Sequence, residues 1–196
     1  MSIPEIRIKK FSEQWIESSF SDVFEILKNN SLSRAELSDN GTVYNIHYGD
    51  VLINYNECLN VEKQANIPFI KDQKQGIKLH QSSSLENGDV VFADAAEDNS
   101  VGKCTEIISS DKDAIVAGLH TIPCRPKTNF APGYLGFFLN SDAFHDQLLG
   151  IIQGTKVSSI SKKSIKNTVI KYPSCIEEQE SIAKYMQVTN MLLDKV

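Results

Sequence analysis

Residues Gly154–Met186 have the sequence GTKVSSISKKSIKNTVIKYPSCIEEQESIAKYM, which changes character at Pro173. The first part is rich in lysine, serine and β-branched residues and contains no acidic residue. Pro173 ends the preceding strand, because proline cannot donate a hydrogen bond to a β-ladder. Ser174 then stands three residues before Glu177, the spacing of a capping box, so a helix is predicted to begin near Cys175. The stretch therefore predicts a small basic platform joined directly to a helix.

The helix carries apolar residues at alternating spacings of four and three, which are the a and d positions of a heptad. They are Ile182, Met186, Leu193 and Val196, with Thr189 inside the series. The chain ends without a glycine cap, which favours a projecting helix that self-associates or docks a partner. A helix packed onto its own domain is the alternative.

Upstream of the platform, the pattern alternates between helix and strand and predicts a mixed α/β fold. The predicted helices are Phe20–Lys28 with Ser19 as its cap, Pro132–Leu139 and Ser141–Gln153. The predicted strands are two within Thr42–Tyr55 around a Gly49-Asp50 turn, one within Asn87–Asp94, and others over Ala114–Cys124 and Thr168–Tyr172. We therefore expect a globular α/β (mixed α+β) domain over residues 1–173, followed over 174–196 by the start of a long coiled-coil-type helix.

The composition is that of an ordinary globular protein, with 196 residues of which 41% are hydrophobic and 23% are charged. The N-terminus alternates isoleucine with charged residues, unlike a signal peptide. No apolar run approaches the roughly 18 residues that a membrane span requires, so a cytoplasmic location without membrane association is predicted. The cysteines Cys58, Cys104, Cys124 and Cys175 form no paired spacing and are interpreted as reduced thiols rather than a metal site.

The net charge of −5 is unevenly distributed along the chain. Residues Ala114–Ile176 contain seven basic residues and two acidic ones, a net charge of +5. The remainder contains 13 basic and 23 acidic residues, a net charge of −10. Such segregation creates a local positive field, which favours an anionic partner. A solvated lysine face is the alternative.

The sequence contains no motif typical of catalysis. Neither a P-loop, a dinucleotide-binding glycine motif, a His-Glu-x-x-His zinc motif nor a Gly-x-Ser-x-Gly elbow is present. Scattered carboxylates, namely Asp50, Glu57, Asp89, Asp94 and Glu97, could in principle supply a nuclease metal site. Two of them follow glycines in predicted turns, where aspartate is favoured for local hydrogen bonding. We predict a protein that binds rather than catalyses, and no metal site.

Several segments resemble the target-recognition domains of type I restriction–modification DNA-specificity subunits. The matching segments are PEIRIKKFSEQWIESSFSDVFEI (Pro4–Ile26), GDVVFADAAEDNSVGK (Gly88–Lys103), AGLHTIPCRP (Ala117–Pro126) and the block from Gly133 to Met186. The last block is the most specific, with a helix, Gly-Thr, a serine and lysine stretch, a strand, a proline and a long helix that opens with Glu-Gln. Asn30–Leu85 resembles nothing in particular, which leaves the residues that read bases unassigned.

The resemblance implies a non-catalytic subunit that binds double-stranded DNA and reads one half of a bipartite target. It also implies docking of a methyltransferase subunit, which carries S-adenosylmethionine, and of a motor–nuclease subunit that uses ATP and magnesium, with no cofactor on this chain. A complete family member has two recognition domains and two spacer helices. This chain is therefore expected to be either a half-subunit that pairs with another or a piece of a longer polypeptide, and the end at Val196 favours the second.

On this resemblance, two groups of residues are candidates for contact with DNA. Lysines and hydroxyl groups of the platform can bind phosphates without reading sequence: Thr155, Lys156, Ser158, Ser159, Lys162 and Lys163. Gly154 would let the backbone approach a phosphate closely. The side chains that could reach a base edge are Lys103, His120, Arg125 and Lys127. The hydroxyl of Thr121, which follows His120, is a further candidate for contact with DNA.

Three other functions fit the same sequence. The domain could serve a related single-chain restriction–modification enzyme, which a longer native gene would reveal. It could be a protein-interaction adaptor without DNA contact, which the absence of DNA binding at low salt would favour. It could be a small hydrolase with an unrecognised site, for which metal-dependent turnover would be the sign.

Overall fold

A computed structural model describes residues 7–8, 10–64, 66–110, 112–154 and 157–193, the last without its side chain. The helices are α1 (Phe20–Val23), α2 (Tyr48–Ile53), α3 (Gln73–Ser82), α4 (Tyr134–Leu139), α5 (Asp142–Leu149) and α6 (Ile176–Leu193). The strands are β1 (Trp15–Ser19), β2 (Phe24–Ile26), β3 (Leu37–Ser38), β4 (Tyr44–Ile46), β5 (Cys58–Asn60), β6 (Phe69–Ile70), β7 (Val90–Ala93), β8 (Ala95–Ala96), β9 (Cys104–Ile108), β10 (Ile115–Ala117), β11 (Thr121–Pro126), β12 (Ser158–Ser159) and β13 (Val169–Pro173). Short 3₁₀ turns cover Arg34–Glu36 and Ile165–Asn167.

The centre of the domain is a mixed five-stranded sheet with the strand order β2-β11-β7-β9-β5. All four residues of β7 are buried. Successive side chains of a strand point to opposite faces of a sheet, and β7 follows this rule. Val90 and Phe92 belong to a core with α4 and α5, whereas Val91 and Ala93 belong to a second core with α2. The sheet is therefore covered on both faces, which explains why β7 is apolar throughout.

The other sheets attach the periphery to this centre. A four-stranded sheet has the order β10-β4-β6-β3, with β10 and β4 parallel. Strands β1 and β13 pair antiparallel in a separate two-stranded sheet, with Trp15 opposite Pro173. Strands β8 and β12 form another antiparallel pair, in which Ser159 lies opposite Ala95. The platform segment is thus paired on one side to the N-terminal strand and on the other to the segment after β7.

Several predicted elements are confirmed. Strand β7 follows the Gly88-Asp89 turn, and Gly88 has the positive φ of 87° that such a turn requires. Strand β13 ends at Pro173, and helix α6 begins at Ile176. Helices α4 and α5 occupy the two segments predicted to be helical. The segment Ala114–Cys124 forms two strands, β10 and β11, rather than one.

The helix predicted over Phe20–Lys28 is wrong beyond its first turn. Ser19 does cap α1, because its hydroxyl oxygen accepts the backbone N–H of Asp22 at 3.2 Å. From Phe24 the chain becomes strand β2, with Ile26 opposite Cys124 of β11. The helical spacing of apolar residues is therefore overridden by pairing at the edge of the central sheet.

The prediction of two strands within Thr42–Tyr55 is also wrong in its second half. Strand β4 forms as expected, but the segment after it is helix α2. The imidazole Nδ1 of His47 accepts the backbone N–H of Gly49 at 3.2 Å and caps the helix. Asp50, predicted to lie in a Gly-Asp turn, is buried inside this helix.

The start of α6 differs from the predicted capping box. The hydroxyl of Ser174 donates to the Glu13 carboxylate at 3.1 Å and to the Gln14 carbonyl at 3.3 Å, so it fastens the helix entrance to the N-terminal segment. The carboxamide of Gln179 accepts the Ala131 N–H at 2.9 Å and donates to the Pro173 carbonyl at 2.8 Å. The first turns of α6 are therefore anchored to the domain.

Candidate nucleic-acid interface

The predicted DNA-contacting residues that the structure brings together surround Asp94, which lies between β7 and β8. Its carboxylate Oδ1 lies 3.1 Å from Nδ1 of His120. Its backbone N–H donates to the His120 carbonyl at 3.0 Å, and its own carbonyl accepts the Ile160 N–H at 2.9 Å. Burial raises the pKa of the Asp94 carboxyl, and the nearby His120 and Lys162 offset part of that rise. Asp94 thus joins the β10–β11 turn to the platform.

His120 is held in an unusual backbone conformation at this junction. Its φ is +53°, in the left-handed region that residues with a side chain seldom adopt. The turn is fixed from both sides, since Asp94 binds His120 and the Tyr48 N–H donates to the Leu119 carbonyl at 3.3 Å. The ring of Tyr48 also meets the imidazole edge-on, at a centroid distance of 5.2 Å. With 52% of its side chain exposed, His120 faces solvent on a turn that is held on both sides.

Lys162 approaches the same junction from the platform. Its ammonium donates to Asn29 Oδ1 at 2.8 Å and to the Leu27 carbonyl at 3.1 Å. Burial lowers the pKa of Lys162, and the Asp94 carboxylate opposes that effect. The neighbouring Lys163 is exposed. The two adjacent lysines therefore differ, because the first anchors the chain and the second faces solvent.

Ser158 and Ser159 form β12, which pairs with β8 immediately after Asp94. Both serines are half-buried. A cleft of about 570 Å³ lies at the His120 turn, and its lining includes Asn29, Gln75 and Asp94. Hydroxyl, ammonium, imidazole and carboxamide groups thus meet on one region of the surface.

Arg125 and Lys127 lie away from this region. Strand β11 runs from Thr121 to Pro126, so Arg125 is about 16 Å along the strand from His120, at about 3.3 Å per residue. Its guanidinium binds the buried carboxylate of Asp89 through Nε at 2.9 Å and Nη2 at 2.8 Å. The exposed Lys127 donates to the Ser21 carbonyl at 2.6 Å.

Two further predicted residues serve the domain itself. Thr121, a predicted DNA contact, is fully buried, and its hydroxyl donates to the Gly118 carbonyl at 2.7 Å. The ammonium of Lys103 donates to the Leu52 carbonyl of α2 at 3.0 Å, and burial lowers its pKa.

The beginning of the platform is only partly described. Thr155 and Lys156 lie outside the described residues, so their predicted phosphate contacts stay predictions. Gly154 has a φ of +105°, and a Cβ atom there would collide with the Val157 carbonyl. The glycine is therefore explained by the close approach of its own chain, rather than by the approach of a phosphate that was predicted.

The predicted seam of α6 is corrected in its first part. Ile182 packs against the main core of the domain, and the adjacent Ala183 is 6% exposed. Met186 is half-buried, Val196 lies outside the described residues, and so does the side chain of Leu193. In the second half of the helix, exposed apolar side chains lie on another face, at spacings of three and four: Tyr185, Val188 and Leu192, with Met191 beside them.

The structure also adds residues that sequence reasoning missed. Tyr48 contacts the His120 ring, Asn29 lines the cleft at the His120 turn, and Arg34 lies beside Gly49, which follows Tyr48. Tyr48 and Arg34 belong to the Asn30–Leu85 segment that resembled nothing in particular. Arg34 donates two hydrogen bonds to the buried carboxylate of Asp50, and this pair is the feature that marks Arg34 in the structure. Sequence spacing could not have revealed that pair, because it depends on the unpredicted helix α2.

No cluster of three metal-ligating side chains occurs within the ranges that the structure describes. Over the same ranges, no helix is long and apolar enough to cross a bilayer. Three of the five carboxylates considered for a nuclease metal site are engaged in other ways, since Asp50 and Asp89 each bind an arginine and Asp94 binds His120.

Comparison with known proteins identifies the class as a DNA-specificity domain. A family model described as the type I restriction modification DNA specificity domain matches residues 12–191. That range includes nearly the whole chain, so this chain belongs to the type I restriction–modification DNA-specificity family. The members of this family are non-catalytic specificity subunits of restriction–modification systems. No match was found among curated protein sequences.

Solved structures share the fold at low sequence identity. A chain from work on complex assembly and conformational transition of the type I R-M system is 16% identical, with a TM-score of 0.61, over 94% of this chain and 40% of that one. The type I restriction–modification S subunit from M. genitalium is 13% identical, with a TM-score of 0.59, over 93% and 41%. The HsdS subunit from Thermoanaerobacter tengcongensis is 15% identical, with a TM-score of 0.59, over 98% and 41%. This chain therefore spans about two-fifths of the length of the structures it matches.

Proposed function

We propose that this chain is a non-catalytic DNA target-recognition domain of a type I restriction–modification specificity subunit, which reads one half of a bipartite target in the cytoplasm. The observation that carries the proposal is the convergence of His120, Lys162 and the Ser158–Ser159 strand around Asp94 in a chain of this family. These residues come from segments far apart in sequence and meet only through the fold.

The chemistry of this region suits a DNA groove. The ammonium groups of Lys162 and Lys163 and the hydroxyls of Ser158 and Ser159 can bind phosphate oxygens, which fixes register without reading sequence. An imidazole such as His120, together with carboxamides in the adjacent cleft, can bind base edges. We assign phosphate binding to β12 and the lysines, and base reading to the His120 turn.

We divide the chain into a recognition domain over residues 1–173 and an interaction helix over 174–196. The apolar stripe of Tyr185, Val188 and Leu192 has the heptad spacing expected of a helix that packs against another helix. We propose that this stripe, rather than Ile182, forms the contact with a second helix. The contact could be self-association or part of a spacer that docks other subunits.

The proposed partners are double-stranded DNA, a methyltransferase subunit and a motor–nuclease subunit. S-adenosylmethionine, ATP and magnesium would act on those subunits rather than on this chain. A second copy of this chain, or a second recognition domain, would supply the other half-site. Two linked domains gain affinity because the second binding event becomes intramolecular.

The test is selection from a pool of short DNA duplexes of randomised sequence, followed by sequencing of the bound fraction. The protein should enrich a short motif, and a fluorescent duplex with that motif should bind more tightly than one with the motif scrambled. Binding at moderate salt without enrichment of any motif would show that the protein binds DNA without sequence specificity. Absence of binding even at low salt would refute the proposal and favour an adaptor.

A further inference from the structure

Two arginines of this domain are held in nearly the same way by buried aspartates. Arg34 donates to both Asp50 oxygens, from Nη1 at 2.8 Å and from Nη2 at 2.9 Å. Arg125 donates to both Asp89 oxygens, from Nε at 2.9 Å and from Nη2 at 2.8 Å. The side chains of Asp50 and Asp89 are 5% and 1% exposed, so both arginines are fixed from beneath.

The two guanidinium groups differ in the donors that remain. A guanidinium has five N–H donors, and its Nε and Nη2 edge can bind two acceptors at once. In Arg125 that edge is occupied by Asp89, Nη2 also donates to the Ser84 carbonyl at 3.0 Å, and Nη1 lies 2.9 Å from Glu86. Arg125 therefore has no free pair of donors for DNA.

Arg34 binds Asp50 through its two terminal nitrogens, which leaves the Nε edge available. Among the residues that the structure describes, Asp50 alone receives hydrogen bonds from the Arg34 guanidinium, and these use Nη1 and Nη2. The Arg34 side chain is 54% exposed, whereas that of Arg125 is 29% exposed. Arg34 thus offers an oriented pair of donors to solvent.

Arg34 also adjoins the proposed interface. Its Nη2 lies near Gly49 at the start of α2. The Cβ position of Gly49 lies 3.7 Å from Arg34 Nη2 and 3.5 Å from His47 Nδ1, so Arg34 and His47 meet at the start of α2. The His47 ring lies 4.7 Å from that of Tyr48, which contacts His120. Arg34, Tyr48 and His120 therefore lie in one continuous cluster.

We propose that Arg34, rather than Arg125, is the arginine through which this domain contacts DNA, with its Nε edge bound to a pair of acceptors. This inference rests on the proposed function. The acceptors could be O6 and N7 of a guanine or two oxygens of a phosphate. The Asp50 carboxylate offsets the charge of Arg34 but leaves its directional donors, so the geometry favours the guanine edge. Arg34 would then be a specificity-determining residue.

The experiment compares Arg34→Lys and Arg34→Met with wild type in selection from randomised duplexes, and then in binding titrations against salt. Lysine keeps a positive partner for Asp50 but lacks the planar pair of donors. If Arg34 reads guanine, both variants lose the preference for one guanine, and affinity for the selected duplex falls about tenfold to a hundredfold. Replacing that guanine by 7-deazaguanine, which lacks N7, should weaken wild-type binding in the same direction.

A phosphate contact gives a different result. Arg34→Met would then weaken binding to every duplex equally and lower the slope of log affinity against log salt by about 0.9. Arg125→Lys is the matched control, since it alters an arginine held by a buried aspartate whose donors are already occupied. It should retain the selected motif.

The inference is overturned if Arg34→Met keeps the motif, the affinity and the salt slope of wild type, or if Arg125→Lys alone changes the motif. Thermal unfolding of each variant shows whether a loss of binding comes from loss of fold. Arg34→Lys is expected to stay folded, because lysine keeps a positive charge beside Asp50. A wild-type protein that binds no duplex would refute the proposed function itself. If wild type selects a motif and the Arg34 variants select the same motif with the same affinity, only the role of Arg34 is refuted.

Discussion

Two adjacent lysines of the platform allow a sharp test of the interface. Lys163 is exposed, whereas Lys162 bridges Asn29 and the Leu27 carbonyl beside Asp94. We expect Lys163→Ala to act on DNA binding alone and Lys162→Ala to act also on stability. The two substitutions remove the same charge from neighbouring positions, so each serves as the control of the other.

The expected magnitudes follow from these contacts. Loss of one phosphate contact by Lys163 should lower the slope of log affinity against log salt by about 0.9. The loss of affinity between about 50 and 200 mM salt then becomes about 3.5-fold smaller than in wild type. Its effect on the free energy of unfolding should stay within about 0.5 kcal/mol, as for most exposed positions. Lys162 loses two hydrogen bonds from a half-buried ammonium, so Lys162→Ala should cost about 1–2 kcal/mol. That cost lowers the melting temperature by about 2–8 °C in a domain of this size.

Fluorescence anisotropy against salt concentration measures the slope, and circular dichroism measures the melting temperature. An unchanged salt slope for Lys163→Ala would show that this lysine only solvates the surface. Equal melting temperatures for the two variants would refute the anchoring role of Lys162. Equal loss of binding to all duplexes is expected for Lys163→Ala, because phosphate contacts carry no sequence information.

Three further predictions concern the helix, the core and catalysis. Val188→Lys or Leu192→Lys should abolish self-association or partner docking in sedimentation experiments, with little change in melting temperature. Ala183→Lys is the control and should unfold the domain, because Ala183 is buried. Unfolding by all three substitutions would mean that the stripe is part of the core. Burial raises the pKa of the Glu106 carboxyl against the opposing effect of its backbone hydrogen bonds, so its contribution to stability should fall as pH rises from about 4.5. Glu106→Gln should flatten that slope in urea unfolding between about pH 4 and 7, and parallel curves would exclude this contribution. The purified chain should neither methylate nor cleave DNA when S-adenosylmethionine, ATP and magnesium are supplied, and turnover free of contaminants would contradict its assignment to specificity.

Elements whose sequence signal agrees with their tertiary role were predictable. Strand β7 combines a Gly-Asp turn with an unbroken apolar run, and the structure covers both of its faces. Pro173 marks the end of β13 because the missing N–H is a local property of the residue. The same holds for α4 and α5, whose apolar spacing matches the face that they bury.

Elements that depend on distant partners were not predictable from spacing. Phe24 continues a helical pattern but enters β2, because the edge of β11 is available to pair with it. The alternating residues after Ile46 resemble a strand, yet the His47 cap and the burial of Asp50 with Arg34 favour helix α2. The His120 turn shows the same limit for the site, since Asp94 and Tyr48 are brought to it only by the fold.

The two Gly-Asp-Val segments show why charge in the sequence is an incomplete guide to the interface. Asp50 lies in a helix and Asp89 follows a turn, yet each buries a carboxylate beneath an arginine. A count of charges favours Arg125, which lies in the basic segment Ala114–Ile176, over Arg34, which lies in the net-acidic remainder of the chain. Ion pairing cancels much of that difference, and recognition of a base edge depends on the donors that remain after pairing. On the proposed function, Arg34, from the net-acidic part of the chain, would supply a base-reading group, and the basic segment would supply the lysines that hold the phosphates.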